Sequence, residues 1–153
     1  VWLICHLISV KLKIIRHFEL LKGTSMTKHK TILMVEDDEL LARMYQLKLE
    51  LAGYQVLVAH TAAQAKECVL THPLDLVLLD ILLPKVNGLT ILKEIRRNHA
   101  TMHCPVIILS NLGHTEVDMH DDVAESLGVV AYLIKAKVTP DMVLAAVASA
   151  LKD

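Results

Sequence analysis

Five short apolar runs, each leading into a segment of helical period, constrain this chain more than any other feature. They are Thr31–Val35, Gln55–Ala59, 74–79, 105–109 and Val129–Ile134. Continuous aliphatic runs of this length suit strands covered on both faces. The helical segments are 39–52, 61–70, 89–98, 115–127 and 140–151. In the first, Leu40, Leu41, Met44, Leu47 and Leu51 recur at helical spacing, and Gly53 follows as a stop signal. In the third, Leu89, Ile91, Leu92 and Ile95 do the same. Thr61 and Thr139 fit N-caps, with Pro140 at the first helical position. The fourth segment is poorly amphipathic and ends at Gly128, and 84–88 reads as a turn. Strands alternating with helices imply right-handed βαβ units, hence an α/β fold on a parallel sheet.

Length and charge bound the organisation. The 153 residues fit one domain, 26–153, preceded by an extension, 1–25. The extension carries four Lys/Arg and one Glu, net +3, and the body is net −4. An acidic body without a basic stripe predicts no direct nucleic-acid contact. The apolar stretch at the start stops at Lys11, well short of the roughly 20 residues that span a bilayer. It also lacks the charge order of a signal peptide. We read 1–25 as a non-native start or mobile tail, with Met26 where the domain begins. A basic amphipathic anchor is the alternative, and no membrane partner is expected. Cys5, Cys68 and Cys104 are scattered and odd in number, which predicts free thiols and a cytoplasmic setting.

Carboxylates stand at the ends of two of the runs. Glu36-Asp37-Asp38 follows the first, and Asp80 follows the third, with Pro84 and Gly88 downstream. In an open parallel sheet the C-terminal strand ends share one crevice. Carboxylates converging there repel one another unless a cation sits among them. Asp38 competes with Glu36 and Asp37 for register, but Met34 and Val35 complete the apolar run and place Glu36-Asp37 at the strand end. Asp38 and Glu39 otherwise suit the start of a helix. His99, His103 and Cys104 precede a strand, at the opposite end of the sheet, and read as a solvated loop. Glu116, Asp118, Asp121, Asp122 and Glu125 form an acidic face suited to solvent or to a partner.

With these markers in place, the sequence is similar to the receiver domain of two-component response regulators, in the single-domain form of the chemotaxis receivers. The resemblance covers 29–152 and rests on Val35-Glu36-Asp37-Asp38, on Leu79-Asp80-Ile81-Leu82-Leu83-Pro84 with Gly88, on Ser110, and on Tyr132-Leu133-Ile134-Lys135. It implies a doubly wound five-stranded sheet of order 2-1-3-4-5 with five helices. It implies that Asp80 is the phosphoacceptor and that Glu36, Asp37, Asp80 and the backbone carbonyl of Leu82 hold Mg²⁺. Lys135 pairs with the phosphoryl group, Ser110 is the switch hydroxyl and Tyr132 the aromatic coupled to it. The phosphodonor is then a histidine kinase or histidine phosphotransfer protein. Two positions depart from the family pattern: Ala136 replaces the usual proline after the lysine, and Asn111 replaces a small residue after the hydroxyl.

Other readings are a phosphorylation-independent adaptor, an aspartyl-phosphate phosphohydrolase and a flavodoxin-like cofactor binder. The intact set Glu36, Asp37, Asp80, Ser110 and Lys135 argues against the first. A dehalogenase-type hydrolase needs an Asp where Leu82 stands. No phosphate-cradling loop follows the first strand, which counts against the third. The expected role is a signalling switch rather than a metabolic enzyme.

Overall fold

A computed structural model describes residues 29–84, 86–111 and 127–152. The sheet strands are β1 (Thr31–Val35), β2 (Gln55–Ala59), β3 (Leu76–Leu79), β4 (Val106–Ser110) and β5 (Val129–Ile134). All pairings are parallel and the order is β2-β1-β3-β4-β5, as the resemblance implied. The helices are α1 (Glu39–Leu51), α2 (Ala62–Thr71), α3 (Gly88–Arg97) and α4 (Pro140–Ala150), with a 3₁₀ turn at Lys135–Lys137. Except for Leu127, the fourth of the five expected helices, over 115–127, lies outside the described residues, as does the 1–25 extension.

Strand alternation builds two cores. Leu33, Val35, Val77 and Leu79 face α2 and α3, meeting Val69, Ile91, Leu92 and Ile95. Ile32, Met34, Leu76 and Leu78 face α1 and α4, meeting Tyr45, Leu49, Val143 and Val147. Side chains of period 2 on central strands demand cover on both sides, and the two helix pairs supply it.

The caps were legible. Thr61 Oγ1 accepts from Gln64 N at 3.2 Å and Thr139 Oγ1 from Met142 N at 3.3 Å. Gly53 takes φ +93° just past α1, a conformation costly for other residues.

Several details differ from the sequence reading. Of the α1 period, only Leu41 turns inward and packs on the core. The buried face is Ala42, Tyr45 and Leu49, so the Leu40, Met44, Leu47 and Leu51 stripe points to water. β3 starts at Leu76 because Asp75 Oδ2 accepts from Thr31 N at 2.8 Å and replaces a ladder bond. Within the expected 84–88 turn, Val86–Asn87 instead pairs with Leu82–Leu83 as a small antiparallel ladder. Asn87 caps α3, accepting from Leu89 N at 2.9 Å, so Gly88 is helical. β5 carries a register shift: Val106 pairs with Val129 but Ile107 with Ala131. The extra residue, Val130, is a bulge that sets Tyr132 opposite Ile108 and Ile134 opposite Ser110.

At the far end of the sheet, Arg96 donates from Nε to Leu127 O at 2.6 Å and from its terminal nitrogens to Thr101 O and Gly128 O. Cys68 and Cys104 are free thiols, and burial pushes Cys104 up to about 11. No helix among the described residues is long and apolar enough to cross a membrane.

Candidate functional site

The ends of β1 and β3 are locked side by side. Asp80 N donates to Val35 O at 3.0 Å, and Glu36 N donates to Ala59 O at 3.0 Å. These bonds continue the ladders by one residue and fix where both carboxylates emerge. Glu36 and Asp80 are buried, and Asp37 is exposed. Their carboxylate oxygens lie within 4.8 Å of one another, the one such acidic group of three among the described residues. Asp38 takes no part: its Oδ1 accepts from Leu40 N at 2.9 Å and Leu41 N at 3.0 Å and caps α1. The acids that lie together are thus Glu36, Asp37 and Asp80.

Lys135 reaches this cluster from the end of β5. Its Nζ lies 2.6 and 2.8 Å from the two oxygens of Glu36 and 2.5 Å from Asp80 Oδ2. Asp80 Oδ1 accepts from Leu82 N at 2.8 Å. Burial drives the Glu36 carboxyl above its usual range, and the ammonium opposes that rise. Burial also pulls Lys135 down most strongly of any single cause, yet the hydrogen bonds and charges of Asp80 and Glu36 together outweigh it and hold the ammonium above its ordinary value. With all groups ionised the cluster holds three carboxylates against one ammonium. A hard divalent cation matches both the residual charge and the oxygen donors.

Two hydroxyls lie on the neighbouring strands. Ser110 is fully buried at the end of β4, and its Oγ has no hydrogen-bond partner among the described residues. Tyr132 is half-buried on β5 and packs with Ile81 and Ile108. Asn111 is exposed, and Leu82 keeps an exposed side chain beside Asp80. Ala136 lies in the 3₁₀ turn after Lys135, and no cis peptide bond occurs among the described residues. The structure thus brings Glu36, Asp37, Asp80 and Lys135 into one cluster, with Leu82 bonded to Asp80.

One neighbour, His60, went unnoticed in the sequence, and a second, Gly88, reads there only as a turn residue downstream of Asp80. His60 Nδ1 lies 2.8 Å from Glu36 O and steadies the β1 exit. Its signal was its position, directly after β2 as Glu36 directly follows β1. Gly88 passes so close to the Asp80–Ile81 backbone that a Cβ there would lie 2.4 Å from Asp80 O. Its N–H donates to Ile81 O at 2.9 Å.

A doubly wound sheet with its polar cluster at the carboxyl ends of the strands, beside the reversal of strand order, defines the flavodoxin-like class of site. Within that class the chain belongs to the response regulator receiver domain family, whose model matches residues 32–148. It is 39% identical over 111 residues to the response regulator ArlR of Staphylococcus saprophyticus, covering 72% of this chain and 46% of that protein. It is 44% identical over 87 residues to the transcriptional regulatory protein CpxR of Klebsiella pneumoniae, covering 57% of this chain and 35% of that one. The chain therefore spans less than half the length of these relatives. The crystal structure of a CheY-like receiver domain protein from Methanospirillum hungatei superposes with a TM-score of 0.71 at 26% identity, over 81% of this chain and 94% of that one. The expectation of no nucleic-acid contact gains nothing from relatives named as transcriptional regulators.

Proposed function

We propose that the chain is a phosphoacceptor switch of a two-component phosphorelay, with Asp80 as the residue modified. The observation that carries this reading is Lys135 Nζ held between Asp80 and Glu36 inside a net-anionic, largely buried cluster. Few structural roles justify burying two acids and a lysine together beside a third, exposed acid.

In this reading the Asp80 carboxylate attacks the phosphorus of a phosphohistidine in line. The P–N bond breaks, the imidazole leaves, and an acyl phosphate forms on Asp80. The ammonium of Lys135 passes from Asp80 Oδ2 to a phosphoryl oxygen. The Ser110 hydroxyl, uncommitted within the described structure, donates to another. Tyr132 follows that hydroxyl inward. Glu36, Asp37, Asp80 and the Leu82 carbonyl would hold Mg²⁺, which supplies charge neutralisation on the transferring group. The donor is a histidine kinase or phosphotransfer protein, the output a protein contact, and the setting the cytoplasm. The role is signalling rather than turnover of a metabolite.

Incubation with acetyl phosphate and Mg²⁺ adds a single phosphoryl mass to the wild type and none to Asp80→Asn. Labelling that persists in the variant rules out Asp80 as acceptor.

The same cluster predicts metal-linked stability. Mg²⁺ binds the folded acids and scarcely the unfolded chain, so a hundredfold excess over Kd raises stability by about 2–3 kcal/mol. Asp37→Ala loses that response, read as the shift in melting temperature between Mg²⁺ and EDTA. A wild type indifferent to Mg²⁺ refutes the site.

The lifetime of the acyl phosphate follows from Leu82. By sequence position Leu82 and Leu112, the latter outside the described residues, match the two residues that flank the hydrolytic water in receivers. Neither can orient a water, a function worth about 10²–10⁴-fold where a polar group supplies it. Phosphate loss after donor removal is therefore slow, and Leu82→Asn with Leu112→Glu accelerates it. Loss from the wild type within seconds contradicts this.

A further inference from the structure

The turn between β2 and α2 supports the acid cluster from outside it. Glu36 N donates to Ala59 O at 3.0 Å and continues the β1–β2 ladder by one residue. The Glu36 carbonyl is met by a side chain instead: the half-buried His60 places Nδ1 2.8 Å from Glu36 O. A carbonyl oxygen only accepts, so the proton of this bond sits on Nδ1 and fixes the tautomer of the neutral ring. The ring is itself anchored. His60 N donates to Gln64 Oε1 at 2.8 Å, and Gln64 N donates to Thr61 Oγ1 at 3.2 Å. The first turn of α2 therefore fixes the backbone that carries the imidazole. The bonded carbonyl belongs to the peptide joining Glu36 to Asp37, and a peptide is a rigid plane. Its orientation decides how the chain leaves β1 into the bend at Asp37. On the other side, Asp38 N donates to Glu36 Oε1 at 3.3 Å, and the Asp38 side chain caps α1. Asp37 is thus strung between two fixed points, the His60-bonded peptide and the α1 cap.

We infer that His60 is a positioning residue for the acid cluster: it holds the Glu36–Asp37 peptide so that Asp37 joins Glu36 and Asp80, and so sets the affinity for Mg²⁺. This rests on reading the cluster as the metal site. The three carboxylates repel one another, and the exposed Asp37 is the one that can swing into water. Loss of the ring bond leaves Glu36 O to water and lets the peptide turn. Hydrogen-bond partners of metal ligands contribute about 10–100-fold in affinity, and support through one peptide belongs at the low end. The requirement is one N–H next to Cγ. An asparagine amide offers that donor in nearly the same place, and a leucine fills the space without it.

Calorimetric titration of Mg²⁺ into the full chain, with melting temperatures in EDTA alongside, tests this. His60→Leu raises the Mg²⁺ dissociation constant about tenfold, and His60→Asn stays within about twofold of wild type. A His60→Leu protein that binds Mg²⁺ like wild type overturns the inference, because any fall in its EDTA melting temperature then marks a structural prop. His60→Asn binding as weakly as His60→Leu also overturns it, because the bonded N–H is then not what counts. Nitrogen NMR of the wild type needs no variant to fold. It shows the neutral His60 ring protonated at Nδ1, and a neutral ring protonated at Nε2 overturns the inference. A wild type that takes up no Mg²⁺ overturns the reading of the cluster and the inference together. Binding by the wild type that is unchanged in His60→Leu overturns the inference alone.

Discussion

Gly88→Ala lowers the melting temperature by about 10 °C and slows phosphate uptake at Asp80. The cause is steric. A Cβ at Gly88 would meet Asp80 O at 2.4 Å and Ile81 Cα at 2.7 Å, both backbone atoms that no rotamer change can move. Relief requires the start of α3 to withdraw from the end of β3, which stretches the Gly88 N–H to Ile81 O bond. It also shifts the peptide that carries Asp80. Overpacking of this kind costs about 3 kcal/mol. Gly53→Ala is the control. Gly53 has φ +93° but open space around its Cβ position, so only the backbone preference is lost, roughly 1–2 kcal/mol. Thermal melts of the two variants, with acetyl phosphate labelling alongside, separate the effects. A Gly88→Ala protein that melts within two or three degrees of wild type shows that the helix start is free to yield.

Lys135→Met destabilises the metal-free protein by about 3 kcal/mol near pH 8, and the loss shrinks in acid. Removing the ammonium leaves Glu36 and Asp80 buried beside each other without their shared partner. The sign follows from the shifts. Glu36 is raised in the folded protein, so its protonated form adds stability below the unfolded value of 4.5, and that stability is lost as pH rises through the folded value. Without Lys135 the opposing ammonium disappears, the folded value climbs further, and the loss deepens toward neutrality. Lys135 itself is raised above 10.5, so its own contribution is present at neutral pH and fades only in alkali. The wild-type and variant curves therefore converge below about pH 4.5 and diverge above it. Mg²⁺ narrows the gap at pH 8 by supplying part of the missing charge. Urea titrations at pH 4 and pH 8, with EDTA or Mg²⁺, read the pattern. A gap that does not change with pH places the lysine's role in packing of its methylenes rather than in charge.

What could be read in advance was whatever depends on local period or on a strand end. β1, β2 and β5 fall where aliphatic runs put them, Glu36 emerges where the β1 run stops, and Asp80 where the β3 run stops. That Lys135 belongs near Asp80 came from the family resemblance, which pairs it with a phosphoryl group; its contact with Glu36, 99 residues away, is contained in no local pattern. What stayed hidden is set by neighbours. The α1 stripe matched a helical period, yet a smaller set, Ala42, Tyr45 and Leu49, won the core because a helix laid on two strands buries a narrow face. The Val130 bulge leaves no mark in an unbroken apolar run, although it decides which residue of β4 Tyr132 faces. Gly88 was legible only as part of a turn; its place in the first turn of α3 behind the Asn87 cap and its contact with the Asp80 backbone belong to the fold alone.

The strands that meet at the acid cluster are held very differently. β1 and β3 occupy the middle of the sheet, and each of their residues is buried. β5 is an edge strand with an interrupted register and no fully buried residue. Resistance to local opening grows with burial and with unbroken ladder bonds. Among the sheet strands, the acids therefore follow the stiffest and the lysine follows the least buried. In mechanical terms the site is a vice with one fixed and one sprung jaw. In the proposed switch, a phosphoryl charge arriving at the fixed jaw is recorded as displacement of the sprung one.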